Sequence, residues 1–175
     1  VIIAEYKKAS NETKAKGVTL FTSSFRRGSP DYLDPKLNCH SKLHEVQALI
    51  QAIEAGADEA LMLDVNGFVS TCNATNFFIV KDGEVWTSTG AYCMNGITRQ
   101  KVIEICAKNN IPCHQKNFSL YDTYSADEAF VTGTFGGLTP VTKIDGKLIE
   151  NQNDTSLIGN LDRLYEELIA NESNS

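Results

Sequence analysis

No Cys-x-x-Cys pair occurs in these 175 residues, although cysteines stand at positions 39, 72, 93, 106 and 113. An odd set at irregular spacing builds no zinc ribbon and no thioredoxin-type centre, and it suits reduced thiols in a cytoplasmic protein. Apolar runs are short. None approaches the ~20 residues that a membrane-crossing helix requires, so no membrane partner is expected. Basic clusters are missing too: 16 Lys and Arg are scattered among 22 Asp and Glu, for a net charge of -6. A polyanion needs a concentrated positive surface, and nucleic acid is thereby excluded as a main partner. The chain has no initiator Met, and residues 1–8 lack the ordered regions of a signal peptide. They read instead as a strand of a core, so a further N-terminal portion is expected ahead of them. Without a secretory signal, the sequons at Asn11 and Asn73 are expected to carry no sugar.

With 42% hydrophobic and 22% charged residues, the chain has enough apolar side chains for one globular domain, here taken as residues 1–170, with a polar frayed tail over 171–175. Strand-like and helix-like segments alternate. Residues 18–25 read as a strand after a polar loop at 10–14. The adjacent Arg26 and Arg27 read as a solvated pair at a strand end, with capture of a carboxylate as the alternative. From position 43, Leu43, Val46, Leu49, Ile50 and Ile53 recur at helical spacing, and Gly56 is a natural left-handed stop. His40 and His44 stand four apart beside Cys39, but no third ligand accompanies them and no metal is expected. Residues 59–64, 68–71, 76–80 and 84–87 read as strands of a meander, with turns at Val65-Asn66-Gly67 and Lys81-Asp82-Gly83. A helix then runs to about 109, an extended segment starts at 111, and residues 120–125 form a helical turn. Residues 128–133 are a buried strand, 141–149 a hairpin, and 156–170 an amphipathic helix with Leu157, Leu161, Leu164, Tyr165 and Leu168 inward.

Two stretches carry chemistry. Asn95-Gly96-Ile97-Thr98-Arg99 is a tight turn that feeds a helix N-terminus, with Thr98 as N-cap and Ile97 and Val102 as its hydrophobic staple. Free N–H groups and the positive dipole end of such a helix favour a bound phosphate. Gly133-Thr134-Phe135-Gly136-Gly137 follows a buried strand, and glycines there can turn backbone N–H groups toward an anion. Neither stretch has the lysine pattern of a nucleotide-binding loop.

In order, Gly56-Ala-Asp-Glu-Ala-Leu-Met-Leu-Asp64, Gly67-Phe-Val, Thr75-Asn76-Phe77-Phe78, Gly96-Ile-Thr-Arg99, Ala126-Asp-Glu-Ala-Phe-Val-Thr-Gly-Thr134 and Thr139-Pro140-Val141 resemble the class IV aminotransferases over residues 1–150. That family includes branched-chain and D-amino acid aminotransferases and aminodeoxychorismate lyases. The resemblance implies an α/β (α+β) fold, a mixed β pseudo-barrel flanked by helices, equivalent to the larger C-terminal domain, with a smaller N-terminal domain outside this sequence. It implies pyridoxal 5′-phosphate as cofactor, exchange of an amino group between an amino acid and a 2-oxo acid, and a homodimer. The cofactor phosphate is expected at Gly96, Ile97 and Thr98 on one side and at Gly133, Thr134 and Phe135 on the other.

Two positions depart from the family. The lysine that binds the cofactor covalently aligns with Asn38, which cannot perform that role, so Lys42 and Lys36 become the candidate catalytic amines. The glutamate that faces the pyridine nitrogen aligns with Thr71, whose hydroxyl does not hold a ring proton as a carboxylate does. A non-catalytic relative that keeps a phosphate site, and a lyase of the aminodeoxychorismate type, are the alternative functions.

Overall fold

The computed structural model describes residues 11–31, 33–134, 136–151 and 156–173, so the strand expected at residues 1–8 lies outside the described residues. Residues expected to form a polar loop are helical, as α1 (Asn11–Lys16). Their order comes from a distant contact: Lys14 Nζ meets Asp162 at 2.8 Å and Glu166 at 3.0 Å on the last helix. Strand β1 (Val18–Thr22) ends three residues before the expected position 25. There Ser23 and Ser24 turn away to the side chain of Gln51.

The next elements are α2 (Leu43–Glu54), β2 (Glu59–Leu63) and β3 (Val69–Cys72). The β2–β3 turn is held by Asp64, whose carboxylate accepts from the N–H groups of Asn66 at 2.8 Å and Phe68 at 3.0 Å. Strands β4 (Asn76–Lys81) and β5 (Glu84–Thr87) form a second hairpin. Its Asp82 and Gly83 have φ of 52° and 76°, the left-handed pair that matches strand twist. Helix α3 (Ile97–Lys108), strand β6 (Cys113–Gln115) and helix α4 (Leu120–Tyr124) follow. Strands β7 (Glu128–Gly133), β8 (Gly137–Ile144) and β9 (Lys147–Leu148) and helix α5 (Leu157–Ser173) complete the described chain. Helix α5 runs past the expected end at 170, where Lys101 holds Glu172 at 2.8 Å.

The nine strands form one mixed sheet in the order β3-β2-β1-β8-β7-β4-β5-β6, with β9 on β8. The expected meander therefore breaks after β3. Strand β4 pairs antiparallel with β7 and β5, while β3 pairs with β2. Strand β8 joins the halves, antiparallel to β7 through Pro140 and parallel to β1 from Val141 onward.

Alternation along β4 assigns its faces. Phe77 and Ile79 join Leu61, Val131 and Ile144 in the cluster within the curl. Phe78 and Val80 point to the other face, where Val102, Ile105 and Cys106 of α3 and Ile158 and Leu161 of α5 cover them. The chain thus forms the expected mixed sheet flanked by helices.

Helix α2 departs from its amphipathic reading. It turns Ala48 and Ala52 onto Ala60 and Met62. Leu43, Val46, Ile50 and Ile53, expected to be its inward face, are 50–64% exposed. The small alanine face meets the sheet, and the larger side chains are left outside.

Candidate functional site

Between the ends of β3, β4 and β7, the loop before α2 and the start of α3 lies an open cavity of about 740 Å³, counted with its mouth. Its walls bring together Thr71, Gly96, Ile97, Thr98, Gly133 and Thr134, from three segments far apart in sequence. Asn38 and Lys42 line it as well, whereas Lys36 does not. The Lys36 ammonium faces Asp34 instead, at 3.7 Å. Phe135 lies outside the described residues.

The phosphate turn differs in detail from the sequence reading. Gly96, not Thr98, occupies the N-cap of α3, with extended φ and ψ of -63° and 151°, and no side chain caps the helix. Thr98 sits inside the first turn, buried, and its Oγ1 lies 3.4 Å from Tyr165 Oη. Ile97 is 74% exposed while Val102 is fully buried, so no hydrophobic staple forms. The consequence is chemical. With no capping side chain, this first turn on the cavity wall offers N–H groups that suit an anion.

Two buried polar atoms of the cavity wall add to this. Among the described residues Thr132 Oγ1 and Arg99 Nε have no hydrogen-bond partner, although both side chains are almost fully buried. Arg99 spends its Nη2 on the Ser88 carbonyl at 2.7 Å and on Gln115 Oε1 at 3.1 Å. Burial lowers its pKa from the usual value, against the pull of the nearby Cys93 and Cys113 thiols. A buried donor and a buried hydroxyl without partners, beside an uncapped helix N-terminus, fit a phosphate group.

On the cavity wall the hydroxyl of Thr71 donates to the Thr75 carbonyl at 2.8 Å and accepts from Asn76 Nδ2 at 3.3 Å. Behind it, Thr75 Oγ1 donates to Glu59 at 2.7 Å. Desolvation raises the pKa of Glu59, and Asp58 adds to the rise while the Thr75 bond opposes it.

Arg27 is a correction. It is buried, not a solvated member of a pair, and it donates to the carbonyls of Tyr92 at 3.1 Å and Pro35 at 3.2 Å and pairs with Glu45. It thereby ties the end of β1 to the loop carrying Asn38 and to α2, and it lines the cavity. The carboxylate Arg27 meets is the chain's own Glu45. Arg27, Glu45, Arg99 and Asn76 carry no catalytic pattern of their own in the sequence. Only Asn76 and Arg99 fall within family motifs, and those motifs say nothing of their burial.

The profile of the family described as "Amino-transferase class IV" matches residues 1–144. The chain belongs to the class IV aminotransferases. Among curated members it is 39% identical over 168 residues to the Arabidopsis thaliana branched-chain-amino-acid aminotransferase-like protein 2, covering 96% of this chain and 30% of that protein. It is 32% identical over 163 residues to the branched-chain-amino-acid aminotransferase of Pseudomonas aeruginosa, covering 93% of this chain and 53% of that one. The branched-chain amino acid aminotransferase of T.th., solved with pyridoxamine 5′-phosphate, superimposes with a TM-score of 0.84 at 32% identity, over 91% of this chain and 54% of that structure's. The chain thus spans from 30% to about half of the length of these family members. No helix among the described residues is long and apolar enough to cross a membrane.

Proposed function

We propose that this chain provides the cofactor-binding domain of a pyridoxal 5′-phosphate-dependent aminotransferase, which exchanges an amino group between an amino acid and a 2-oxo acid and works as a cytoplasmic homodimer. The observation that carries the reading is the uncapped N-terminus of α3 beside the unpartnered Thr132 Oγ1 and Arg99 Nε. Family membership supports it, since a related branched-chain enzyme has been determined with pyridoxamine 5′-phosphate and with N-(5′-phosphopyridoxyl)-L-glutamate.

The phosphate would be held by the N–H groups of Ile97 and Thr98 from one side and by Gly133, Thr134 and Phe135 from the other, with Thr71 at the pyridine end. Bound there, the cofactor supplies the electron sink that acidifies the substrate's Cα–H. Lys42 would hold the cofactor through its amine, and the same amine would take the proton from the substrate's Cα during turnover. Lys42 stands at the N-cap of α2 on the cavity wall. Among the described residues no carboxylate lies within ion-pair distance of it, whereas Lys36 is engaged by Asp34. Thr71 makes no ionic bond to a ring proton, which weakens the sink and matches the absence of a carboxylate at that position.

The test is borohydride fixation of the cofactor on the full chain, read by peptide mass. A phosphopyridoxyl mass on Lys42, lost in Lys42→Ala and retained in Lys36→Ala, is the expected result. Asn38 and Thr71 at the family lysine and glutamate positions favour a second reading, a relative that binds the cofactor through its phosphate without transamination. Cofactor binding with no fixed lysine would select that reading, and no binding at all would overturn both.

A further inference from the structure

Asn76 opens β4 at the floor of the cavity, and nothing in the proposed chemistry uses it. Its side chain is nevertheless buried and bonds to groups on both sides of the site. Asn76 Nδ2 donates to the Met94 carbonyl at 2.9 Å and to Thr71 Oγ1 at 3.3 Å, and approaches Cys93 Sγ at 3.7 Å. Its Oδ1 accepts from the Gly96 N–H at 3.2 Å. One amide therefore holds both sides of the turn that ends in the α3 N-cap, and the Thr71 hydroxyl as well. In the sheet, Asn76 is also the register partner of Thr132, two residues before Thr134.

The glycine at position 96 answers to the same contact. A Cβ built there would stand 2.6 Å from Asn76 Oδ1, inside any allowed approach. Gly96 has a φ of -63°, which every residue adopts, so the need for glycine is the space taken by the Asn76 amide and not backbone conformation. The turn and the amide are fitted to one another. An amide that bonds backbone groups on a neighbouring loop fixes that loop before any ligand arrives.

We propose that Asn76 is the positioning residue of the phosphate seat: it presets the Met94–Gly96 turn, and with it the N–H groups of the first turn of α3, at a fixed span from Thr71. The inference rests on the reading that the cavity takes a pyridoxal cofactor through its phosphate. It gives a distinct role to a side chain that touches neither the reacting carbon nor the amine.

The experiment compares the unliganded full chain's affinity for pyridoxal phosphate with that for pyridoxal, which lacks the phosphate, by calorimetry. In the wild type the ratio of the two affinities measures the phosphate seat alone. Asn76→Ala should lower that ratio by about tenfold while pyridoxal affinity changes less than about threefold, since Thr71 keeps its bond to the Thr75 carbonyl. Gly96→Ala should lower the ratio similarly by displacing the turn. Combining them should lower it no further than the worse single change, because the shortened side chain at position 76 leaves room for the new Cβ. A general loss of structure would instead lower both affinities together. Asn76→Asp keeps the shape and the acceptor for Gly96 but offers Met94 and Thr71 no donor, and serves if Asn76→Ala does not fold. Either folded variant that keeps the wild-type ratio overturns the proposal, as do fully additive effects in the double change. The wild type alone provides another check: the Gly96 N–H should be protected from hydrogen exchange with no ligand present, and free exchange there overturns the preset turn. A wild type that binds both compounds equally would remove the phosphate reading itself, a result separable from failure of Asn76 alone.

Discussion

Arg27 is placed where loss of one group strands another. Its side chain is 8% exposed and that of Glu45 22%, so both charges are largely out of water, and two carbonyls complete the guanidinium's bonds. Removing one member of such a pair leaves a carboxylate without its partner in a poorly solvated site. Arg27→Met is expected to cost about 2–4 kcal/mol in urea unfolding, and adding Glu45→Leu should recover part of it by removing the stranded charge. Tyr124 gives a second residue-scale expectation, in pH. Its hydroxyl donates to Asp145 at 2.6 Å, and burial together with that carboxylate pushes the phenol from 10.0 up to about 12. The folded protein therefore holds this proton more tightly than the unfolded chain. The contribution is complete below pH 10.0 and is lost as pH rises through about 12. In thermal unfolding, the advantage of the wild type over Tyr124→Phe should be constant below that window and shrink across it.

At the scale of elements, the pairs whose partners are neighbours in sequence were legible and the rest was not. The turns at Gly67 and Gly83, the helix before Gly56 and the short α4 turn rest on local chemistry, which residue type announces. Strand β4 beside β7, and α1 held by Asp162, depend on contacts far apart in the chain. Periodicity found α2 but assigned it the wrong face, because spacing identifies a stripe without saying which neighbour covers it. At the site, the glycine turns were visible as motifs, whereas the buried roles of Arg27 and Arg99 were not, since an arginine's burial is set by what folds over it. The β4–β7 ladder is the element on which the site stands. Phe78 and Phe130 stack across it with centroids 4.8 Å apart and 8° between planes, both fully buried under α3 and α5. Phe130→Ala should cost about 3–5 kcal/mol in chemical denaturation. Phe130 and Thr132 share one face of β7, Phe130 under α3 and α5 and Thr132 at the cavity, so cofactor affinity is expected to fall along with stability.

For the whole molecule, the outward stripe of α2 is the feature that bears on assembly. Leu43, Val46, Ile50 and Ile53 run along about 15 Å of helix with their large side chains in solvent. A stripe of this kind is covered in most stable proteins. A second copy fits it by apolarity: two such helices related by a two-fold axis run antiparallel and set the stripe of one copy against that of the other. The homodimer proposed above is therefore expected to form here, with the Lys42 wall of each cavity beside the interface. Each copy carries a net charge of -6, so long-range repulsion opposes the pairing and moderate salt should tighten it. Light scattering of the full chain at about 10 μM should give the mass of a dimer, and Ile50→Glu should raise the dissociation constant by about a hundredfold or more. Since Ile50 faces solvent in the single copy, the variant's circular dichroism and unfolding midpoint extrapolated to low concentration should match the wild type. A wild-type mass of one chain at that concentration, or a dimer indifferent to Ile50→Glu, would assign the stripe to a different occupant.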